Sequence, residues 1–352
     1  MAIVEPWSDA HNVERAWQRC VRAYRVERPL GFKEKLAPDK SYGAWAYNWS
    51  FGALLSAYAA ALGIVPLRAA LQKDLPMLRT ALEGYRVSKY HAFKSTPAKW
   101  RGDLYFDDNA WIALAALDIF EHTREQLWMD MALSIYQFLI EEGYDPSRGA
   151  VFWRMHPKSS LHVCSTGPTA LLGTRLMSLG QGVEQDRIDR MIQWCWQMRN
   201  DQGLFQDHWN LITRRMDSAV YTYNTGTPLH TLLVMEEIRD PGSYREMAED
   251  ILSRLPLLLR GGQLPPTPWF NAVLLRALAK ALTSHRAYRA RWAVVMEAYQ
   301  QQMVQAWERF GRVDAPLALE SNDSRQGLLL RDAAASVETL AWLHRIESQS
   351  PS

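Results

Sequence analysis

Cysteine is scarce in this chain, whose 352 residues include three of them, Cys20, Cys164 and Cys195. They are odd in number and far apart, and their spacing matches neither a disulfide framework nor a zinc site. We therefore expect buried or incidental thiols. No pattern of His and Asn partners accompanies Cys164, so the sequence does not favour a thiol nucleophile there.

An excess of charge of one sign is also absent. The 40 Lys and Arg residues nearly balance the 38 Asp and Glu residues, which leaves a formal net charge of +2 and no block of like charge. A nucleic-acid-binding protein usually carries a basic patch or stripe. We therefore do not expect nucleic acid as a partner.

Long apolar runs and an export signal are missing as well. The longest apolar run, 51–67, contains Ser56 and Gly63, whereas a membrane span needs about 20 apolar residues. This run therefore indicates a buried helix. Residues 1–7 have no basic region followed by an apolar core, so they do not resemble a signal peptide. The expected location is the cytoplasm, or the cell surface or exterior if an export signal has been removed.

Strand-like alternation is nearly absent, and helical periodicity runs along most of the chain. We expect about twelve helices in an all-α fold. One class of helix is long, charged and amphipathic, as in 124–141 and 286–309. The other class is rich in small and apolar residues and recurs at intervals of 44 to 63 residues. Its six members begin near Ser50, Asn109, Gly167, Thr225, Trp269 and Asp332.

A recurrence of this length indicates repeated helix pairs. Helices of small residues can pack closely and belong inside, while amphipathic helices suit an outer layer. Six inner and six outer helices fit a closed double ring, with an open solenoid as the alternative. We favour closure, because the terminal pairs are no more polar than the middle ones. No long linker rich in Pro, Gly or Ser divides the chain, so we expect a single domain over residues 1–352.

Two adjacent carboxylates, Asp107 and Asp108, stand between an aromatic pair and the small apolar run of the second inner helix. They have two interpretations. Acidic residues are favourable at the start of a helix, so both can serve simply to stabilise that start. Alternatively, they form a catalytic pair at the bottom of a cleft.

The segments that precede other inner helices favour the catalytic interpretation. Each is rich in aromatic and polar residues, and a double ring brings these helix starts to one end. Capping does not require Trp and Tyr at each helix start, whereas a shared aromatic and hydrogen-bonding cleft does. The 15 Trp residues also suit a sugar-binding cleft, where rings stack on pyranose faces. The segments are 45–49, 105–109, 162–167 and 221–226.

Paired carboxylates are what glycoside cleavage requires. One protonates the leaving oxygen, and the other attacks the anomeric carbon or activates water. Carboxyl groups about 5–5.5 Å apart give retention, and groups about 6.5–9.5 Å apart give inversion. Adjacent residues have Cα atoms about 3.8 Å apart, so the shorter separation is easily reached. The helix N-terminus favours one ionised carboxylate, while repulsion keeps a proton on its neighbour.

Four segments resemble motifs of glycoside hydrolase family 76, the α-1,6-mannanases. Residues 105–115 resemble the family's Y-[YF]-D-D-x-x-W-W-A-L-A element, which carries its two catalytic aspartates. Residues 149–153 resemble its G-G-[IV]-W-W turn, and residues 221–226 resemble Y-T-Y-N-Q-G. Residues 203–207 are similar to its G-x-[IF]-x-D stretch. The resemblance extends over roughly residues 40–310.

The resemblance implies an (α/α)6 toroid of six inner and six outer helices. It implies a retaining mechanism in which Asp107 is the nucleophile and Asp108 is the acid/base. It also implies an endo-acting attack on α-1,6-linked mannan or lipomannan-type glycans without a metal. The expected partner is therefore an oligo- or polysaccharide, and no cofactor is expected.

The chain departs from the family pattern at positions that should line the cleft and affect which glycan is bound. Ile112 and Phe152 replace Trp, and Thr225 replaces Gln. The family's N-A-I-S-N-G segment becomes His162–Gly167.

The expected substrate contacts beyond the two acids are aromatic and hydrogen-bonding residues of these segments. Trp49 and Trp153 are favoured as stacking platforms over Trp45 and Trp111. The full set of expected substrate-binding residues is Trp49, Tyr105, Asn109, Trp153, Thr166, Asp207, Tyr223 and Asn224.

Other functions stay open on the same ring of helices. One is an unsaturated glucuronyl hydrolase. Another is a sugar 2-epimerase, which needs a well-placed pair of histidines, and His162 with His208 is the candidate pair. A third is a glycan-binding or transglycosylating relative that does not hydrolyse its substrate.

Overall fold

The computed structural model describes residues 5–36, 45–97, 102–239, 242–284, 289–312, 314–321 and 327–349. Within these ranges, twelve helices of nine or more residues dominate the chain. They are α1 (Ala10–Tyr24), α2 (Asn48–Leu62), α3 (Leu75–Glu83), α4 (Phe106–Thr123), α5 (Gln126–Phe138), α6 (Val163–Ser178), α7 (Gln185–Gln197), α8 (Thr222–Ile238), α9 (Gly242–Arg254), α10 (Pro268–Ser284), α11 (Arg289–Phe310) and α12 (Leu330–Ser348).

The even-numbered helices form a closed inner ring. Helix α2 packs against α4, α4 against α6, α6 against α8, α8 against α10 and α10 against α12, and α12 packs back against α2. Helices α1, α5, α7, α9 and α11 each pack against a member of this ring from outside. The all-α (α/α)6 toroid is therefore confirmed, and the open solenoid is wrong.

Small and apolar side chains are what allow the inner ring to close. In α2, 14 of the 15 residues are buried, and Trp49 is the exception. The outer helix α1 is amphipathic instead and buries one face, which includes Trp17 and Tyr24. A helix that is apolar all round needs neighbours on every side, whereas an amphipathic helix needs them on one side.

The inner helices begin earlier than the sequence pattern predicted. Helix α4 begins at Phe106, α6 at Val163 and α8 at Thr222, which is three or four residues ahead of the predicted starts. The polar residues of these first turns resemble a loop in sequence. They are helical because the first four N–H groups of a helix need no partner within it, and polar groups are tolerated there.

Short strands lie in the connections between the helices, and the sequence analysis missed them. The physical reason is that they are brief and lack a buried-exposed alternation, as in β9, where all five residues are half-buried. Strands β8, β9 and β10 form an antiparallel sheet in the order β10-β9-β8. The described strands are β1 (Arg25–Val26), β2 (Gly31–Phe32), β3 (Lys35–Leu36), β4 (Arg86–Val87), β5 (Ala92–Phe93), β6 (Tyr144–Asp145), β7 (Ala150–Val151), β8 (Ser160–His162), β9 (Gln206–Asn210), β10 (Arg215–Val220) and β11 (Leu328–Leu329).

Helix length and hydropathy bear on membrane insertion. Across the described ranges, no single helix is both long enough and apolar enough to cross a membrane. The segments Asn48–Leu62 and Val65–Glu83 meet the length and composition requirement only as a pair, and that pair is bent by 106°.

Helices α8 and α10 approach each other closely at Gly226, so a substitution at this residue tests the packing of the inner ring. A Cβ atom added at Gly226 would lie 2.9 Å from Leu274 Cα and 3.0 Å from the Leu274 backbone nitrogen. Because that neighbour is backbone, it cannot move aside as a flexible side chain can. We predict that Gly226→Val lowers the free energy of unfolding by about 2 to 3 kcal/mol.

The matched control is Gly182→Val, because nothing lies within 4 Å of an added Cβ at that position. We expect its free energy of unfolding to stay within about 0.5 kcal/mol of the unmodified chain. Urea unfolding followed by circular dichroism measures both variants. Equal stability of the two would contradict the close packing of α8 on α10.

Candidate active site

The starts of five inner helices border one cleft of about 700 Å³. This is the convergence that the aromatic and polar segments predicted. It brings together residues that lie more than 200 positions apart in the chain. The cleft is lined by Trp49 from α2, Asp107 and Asp108 from α4, Cys164 from α6, Tyr223 from α8, and Trp269 and Phe270 from α10.

The connection that follows β7 is tied to the start of α4 by backbone hydrogen bonds. The Phe106 N–H donates to the Trp153 carbonyl at 2.9 Å, and the Met155 N–H donates to the Leu104 carbonyl at 2.9 Å. These bonds hold the Trp153 side chain beside the first turn of α4. Trp153 is therefore positioned by the backbone against Asp107.

Asp107 is a half-buried residue whose carboxyl group has two donors on one oxygen. Trp153 Nε1 donates to its Oδ2 at 3.1 Å, and Cys164 Sγ lies 3.6 Å from the same atom. Its Oδ1 is buried and has no hydrogen-bond partner among the described residues. Burial raises the pKa of Asp107 to about 7, and the bonds from Trp153 and Cys164 oppose that rise. The carboxylate form is thus accessible near neutral pH.

Asp108 differs from its neighbour in its surroundings. Asp108 is buried, whereas Asp107 is half-buried. Burial raises the pKa of Asp108 well above the ordinary value, with repulsion from Asp107 and Glu34 adding to the rise. Glu34 is held nearby by the Tyr47 N–H at 2.9 Å and the Ser50 hydroxyl at 2.8 Å. Because no described residue donates a hydrogen bond to the Asp108 side chain, this group retains its proton while Asp107 ionises.

A row of rings forms one wall of the cleft. Tyr105 packs edge-on against Trp153, with ring centroids 4.9 Å apart. Trp153 stacks on His162 at 5.2 Å, and His162 stacks on His208 at 4.2 Å with an interplanar angle of 8°. Pairing of β8 with β9 sets this last contact, because it places His162 opposite His208.

Further rings lie across the cleft. Trp49 stacks on Phe270 with centroids 6.3 Å apart, and Phe270 lies 4.1 Å from the Tyr223 ring. Tyr221 packs on both Tyr223 and Phe270. Aromatic faces together with carboxyl groups in one cleft suit a sugar, whose ring has apolar faces and polar edges.

Asp207 is the third carboxylate of the cleft. His208 Nδ1 lies 2.9 Å from its Oδ2, and Asn224 Nδ2 donates to its Oδ1 at 3.2 Å. Neighbouring His162 stays neutral, because burial, with a contribution from His208, lowers the pKa of His162 to about 3. The Asp207 side chain therefore lines the cleft beside a neutral imidazole.

Seven of the ten predicted site residues line the cleft: Trp49, Tyr105, Asp107, Asp108, Trp153, Asp207 and Tyr223. The structure thus brings together both predicted catalytic residues and five of the predicted substrate contacts.

Asn109, Thr166 and Asn224 do not line the cleft. The Asn109 amide exchanges hydrogen bonds with both backbone groups of Phe93, and the Thr166 hydroxyl accepts from the Val151 N–H at 3.0 Å. Asn224 bonds to Asp207. These three side chains hold cleft segments in place, because a buried polar group favours the nearest backbone or side-chain partner.

The positions at which the chain departs from the family pattern also divide into those that line the cleft and those that do not. His162 and Cys164 line the cleft, whereas Ile112 and Thr225 are buried elsewhere and Phe152 is not part of the lining. The expectation that all of these positions line the cleft is therefore wrong for the last three.

Arg154 and Asn210 line the cleft although the sequence analysis did not single them out. Arg154 lies beside Trp153, with its guanidinium carbon 5.8 Å from the centre of the indole ring. Asn210 is the last residue of β9, which the sequence analysis did not predict. Recognising that strand would have pointed to Asn210. Trp111, which the sequence analysis ranked below Trp49, also lines the cleft.

The raised pKa of Asp107 predicts a pH-dependent gain in stability for Asp107→Asn. An unfolded Asp ionises near pH 4, whereas the folded group ionises at about 7. Folding the unmodified chain therefore becomes less favourable as pH rises through this window, and the penalty is complete above it. Relative to the unmodified chain, we expect the variant to gain roughly 1–3 kcal/mol at pH 8 and little at pH 4.

Urea unfolding at pH 4, 6 and 8 measures this difference. Asp201→Asn is the control, because Asp201 is exposed in a turn and its replacement should change stability by less than about 0.5 kcal/mol at any of these values. A gain for Asp107→Asn that is constant or falls with pH would contradict the burial argument.

Comparison with known proteins agrees with the toroid and the cleft. A family model described as glycosyl hydrolase family 76 matches residues 11–264. A solved family 76 glycoside hydrolase (mannosidase) from Bacteroides thetaiotaomicron has a TM-score of 0.81 and 22% identity, over 97% of this chain and 99% of that chain. An inactive variant of the α-1,6-mannanase of Salegentibacter sp. HEL1_6, in complex with α-1,6-mannotriose, has a TM-score of 0.77 and 15% identity, over 97% of this chain and 99% of that chain.

A curated relative, the meiotically up-regulated gene 191 protein of Schizosaccharomyces pombe, is 26% identical over 176 residues. The match covers 45% of this chain and 38% of that protein's length. The family model itself covers well over half of this chain. With its closed helical ring and a cleft that holds paired carboxyl groups, the chain belongs to glycosyl hydrolase family 76 and is a glycoside hydrolase.

Proposed function

We propose that this protein is a retaining, endo-acting hydrolase of α-1,6-linked mannan or lipomannan-type glycans. Asp107 is the nucleophile and Asp108 is the acid/base. The observation that carries this proposal is that two adjacent acids face one cleft from different electrostatic surroundings. Pairs of titratable groups whose environments push their pKa values apart are suited to opposite roles in catalysis.

In the first step, Asp107 attacks the anomeric carbon while Asp108 gives its proton to the leaving glycosidic oxygen. The Trp153 N–H and the Cys164 thiol on Oδ2 keep Asp107 ionised and oriented. The buried Oδ1 has no partner among the described residues and is available to form the new bond. The products are a covalent glycosyl ester on Asp107 and a free glycan end.

In the second step, Asp108 acts as a base. Once Asp107 is an ester it carries no charge, so its repulsion no longer raises the pKa of Asp108. Asp108 then accepts a proton from water, the water oxygen attacks the anomeric carbon, and Asp107 leaves as a carboxylate. The enzyme returns to its starting state with Asp108 protonated.

Two observations support the choice of glycan. Aromatic rings that can stack on sugar faces line the same cleft as the two acids. The structurally similar mannanase variant from Salegentibacter sp. HEL1_6 binds α-1,6-mannotriose and is described as inactive when two adjacent aspartates are replaced by asparagine.

The arrangement of the histidines does not favour a sugar 2-epimerase. Such an enzyme requires two bases that reach the sugar from different directions. His162 and His208 are stacked with centroids 4.2 Å apart, so no sugar carbon fits between them.

We predict that Asp107→Asn and Asp108→Asn each lower the release of reducing ends from α-1,6-mannan by at least roughly 10³-fold. The reason is that an amide is a poor nucleophile and cannot exchange the required proton. Asp201→Asn is the control and should retain full activity, because Asp201 is exposed in a turn outside the cleft.

Hydrolysis assays on α-1,6-mannan, lipomannan and yeast mannan test the prediction, with circular dichroism to show that each variant is folded. The unmodified protein could instead hydrolyse a different glycan, and both variants could lose that activity. This result would support the catalytic roles and overturn the choice of substrate. Full activity in either variant would overturn the roles themselves.

Retention gives a separate prediction. Proton NMR in the first minutes of hydrolysis should show new reducing ends in the α configuration, before mutarotation mixes the anomers. Two displacements at one carbon restore the starting configuration. Early appearance of the β anomer would require a water between the carboxyl groups and would rule out Asp107 as the nucleophile.

A further inference from the structure

Three side chains of different chemistry meet in the wall of the cleft beside Asp107. His162 ends β8, Cys164 lies in the first turn of α6, and Asp207 lies in β9. One ligand atom from each of the three lies within 4.8 Å of the other two. The mechanism above assigns no bond-making step to any of them.

The imidazole of His162 has one nitrogen occupied and one without a partner. Its Nε2 shares a hydrogen bond of 2.9 Å with Ser160 Oγ. Its Nδ1 lies 3.7 Å from Asp207 Oδ2, which is beyond hydrogen-bond distance, and no other described residue bonds to it. The residue is 7% exposed and neutral. A buried ring nitrogen therefore faces a carboxylate with room between them.

This is the arrangement that metal-binding histidines adopt. A polar group on the second ring nitrogen fixes the orientation of the ring, so that the first nitrogen points at the ion. Ser160 occupies that position for His162. Asp207 is oriented in the same manner by His208 and Asn224.

Cys164 adds a soft ligand in a region of negative potential. Its thiol is 5% exposed and lies 3.6 Å from Asp107 Oδ2. The charges of Asp107 and Asp207 add to burial in raising the pKa of this thiol. The potential that disfavours a thiolate also attracts a divalent cation, and a bound cation would offset the charge of the thiolate.

We propose that His162, Cys164 and Asp207 form a binding site for a soft divalent cation such as Zn²⁺ or Cd²⁺. Imidazole nitrogen, thiolate sulfur and carboxylate oxygen are the ligand types that Zn²⁺ takes in proteins. Three protein ligands leave a fourth position open to the cleft, which is the pattern of an exchangeable site. On binding, the Cys164 thiol loses its proton to solvent and forms the sulfur–metal bond.

A bound cation has a consequence for catalysis. It removes the Cys164 hydrogen bond to Asp107 and occupies space in the cleft that the sugar ring requires. The metal is therefore an inhibitor that competes with the glycan, and a chelator reverses its effect. This consequence rests on the proposed glycosidase function, whereas the binding site itself does not.

The first experiment measures binding without any glycan. The full chain is titrated with Cd²⁺, and the ultraviolet absorbance of thiolate-to-cadmium charge transfer is recorded. We expect one equivalent of Cd²⁺ to saturate the signal in the unmodified chain and in Cys195→Ala, whose thiol is buried in α7. Cys164→Ala should lose the signal. Cys164→Ser should lose it as well, and this variant replaces Cys164→Ala in the experiment if the alanine variant does not fold.

The second experiment identifies the other two ligands. Zn²⁺ should raise the melting temperature of the unmodified chain, since a ligand of the folded state stabilises it. His162→Gln and Asp207→Asn retain the thiol, and each should weaken Zn²⁺ binding by more than about tenfold. An undiminished Cd²⁺ signal without Cys164, or unchanged Zn²⁺ affinity in both ligand variants, overturns the site.

An activity assay then separates this inference from the proposed function. If Zn²⁺ inhibits mannan hydrolysis in the unmodified chain, Cys164→Ser should be less sensitive to it by more than about tenfold. If Cd²⁺ binds as expected but no glycan is hydrolysed under any condition, the metal site stands and the proposed function fails.

Discussion

Burial of two adjacent carboxyl groups at the start of α4 is the constraint on which the site depends. A charge removed from water is costly unless hydrogen bonds or opposite charges compensate for it. Here compensation is unequal, because Asp107 receives the Trp153 N–H and the Cys164 thiol, while Asp108 faces the charges of Asp107 and Glu34. Proximity therefore separates the two groups by protonation state, which is what the proposed roles of nucleophile and acid require.

The surrounding fold supplies the rigidity that this arrangement requires. Closing six small-residue helices into a ring brings their starts to one end, where first-turn N–H groups and loops meet. Close contacts such as Gly226 on Leu274 leave little freedom for the ring to deform. The sheet of β8, β9 and β10 then adds the third carboxylate and the stacked imidazoles to the same wall. The proposed catalytic acids and the proposed metal ligands consequently line the same cleft, which is why the proposals imply competition between sugar and cation.

Most of the fold and part of the site could be predicted from residue patterns. The recurrence of small-residue helices predicted the ring. The regular spacing of these helices indicates repeated helix pairs, and their small side chains indicate which helices are buried. The pairing of Asp107 with Asp108 was visible because the two are neighbours in the chain. Strands β8 to β10 were not visible, since none of them alternates buried with exposed positions: β8 is buried throughout, β9 is half-buried throughout, and β10 is exposed or half-buried. Without those strands, the contact of His162 with His208 and the place of Asn210 could not be inferred.

What the amino-acid sequence determined by itself is therefore the ring of helices and the position of the acids on it, because both follow from local periodicity and from adjacency in the chain. Tertiary structure alone decided which polar side chains face the cleft. Asn109 follows the acids in their own motif and Thr166 lies in the same segment as His162 and Cys164, yet Asn109 and Thr166 turn to backbone partners while His162 and Cys164 face the cleft. The physical reason is that a buried polar group bonds to the partner that packing brings near it, and Phe93 and Val151 both lie outside the motifs that the sequence displays.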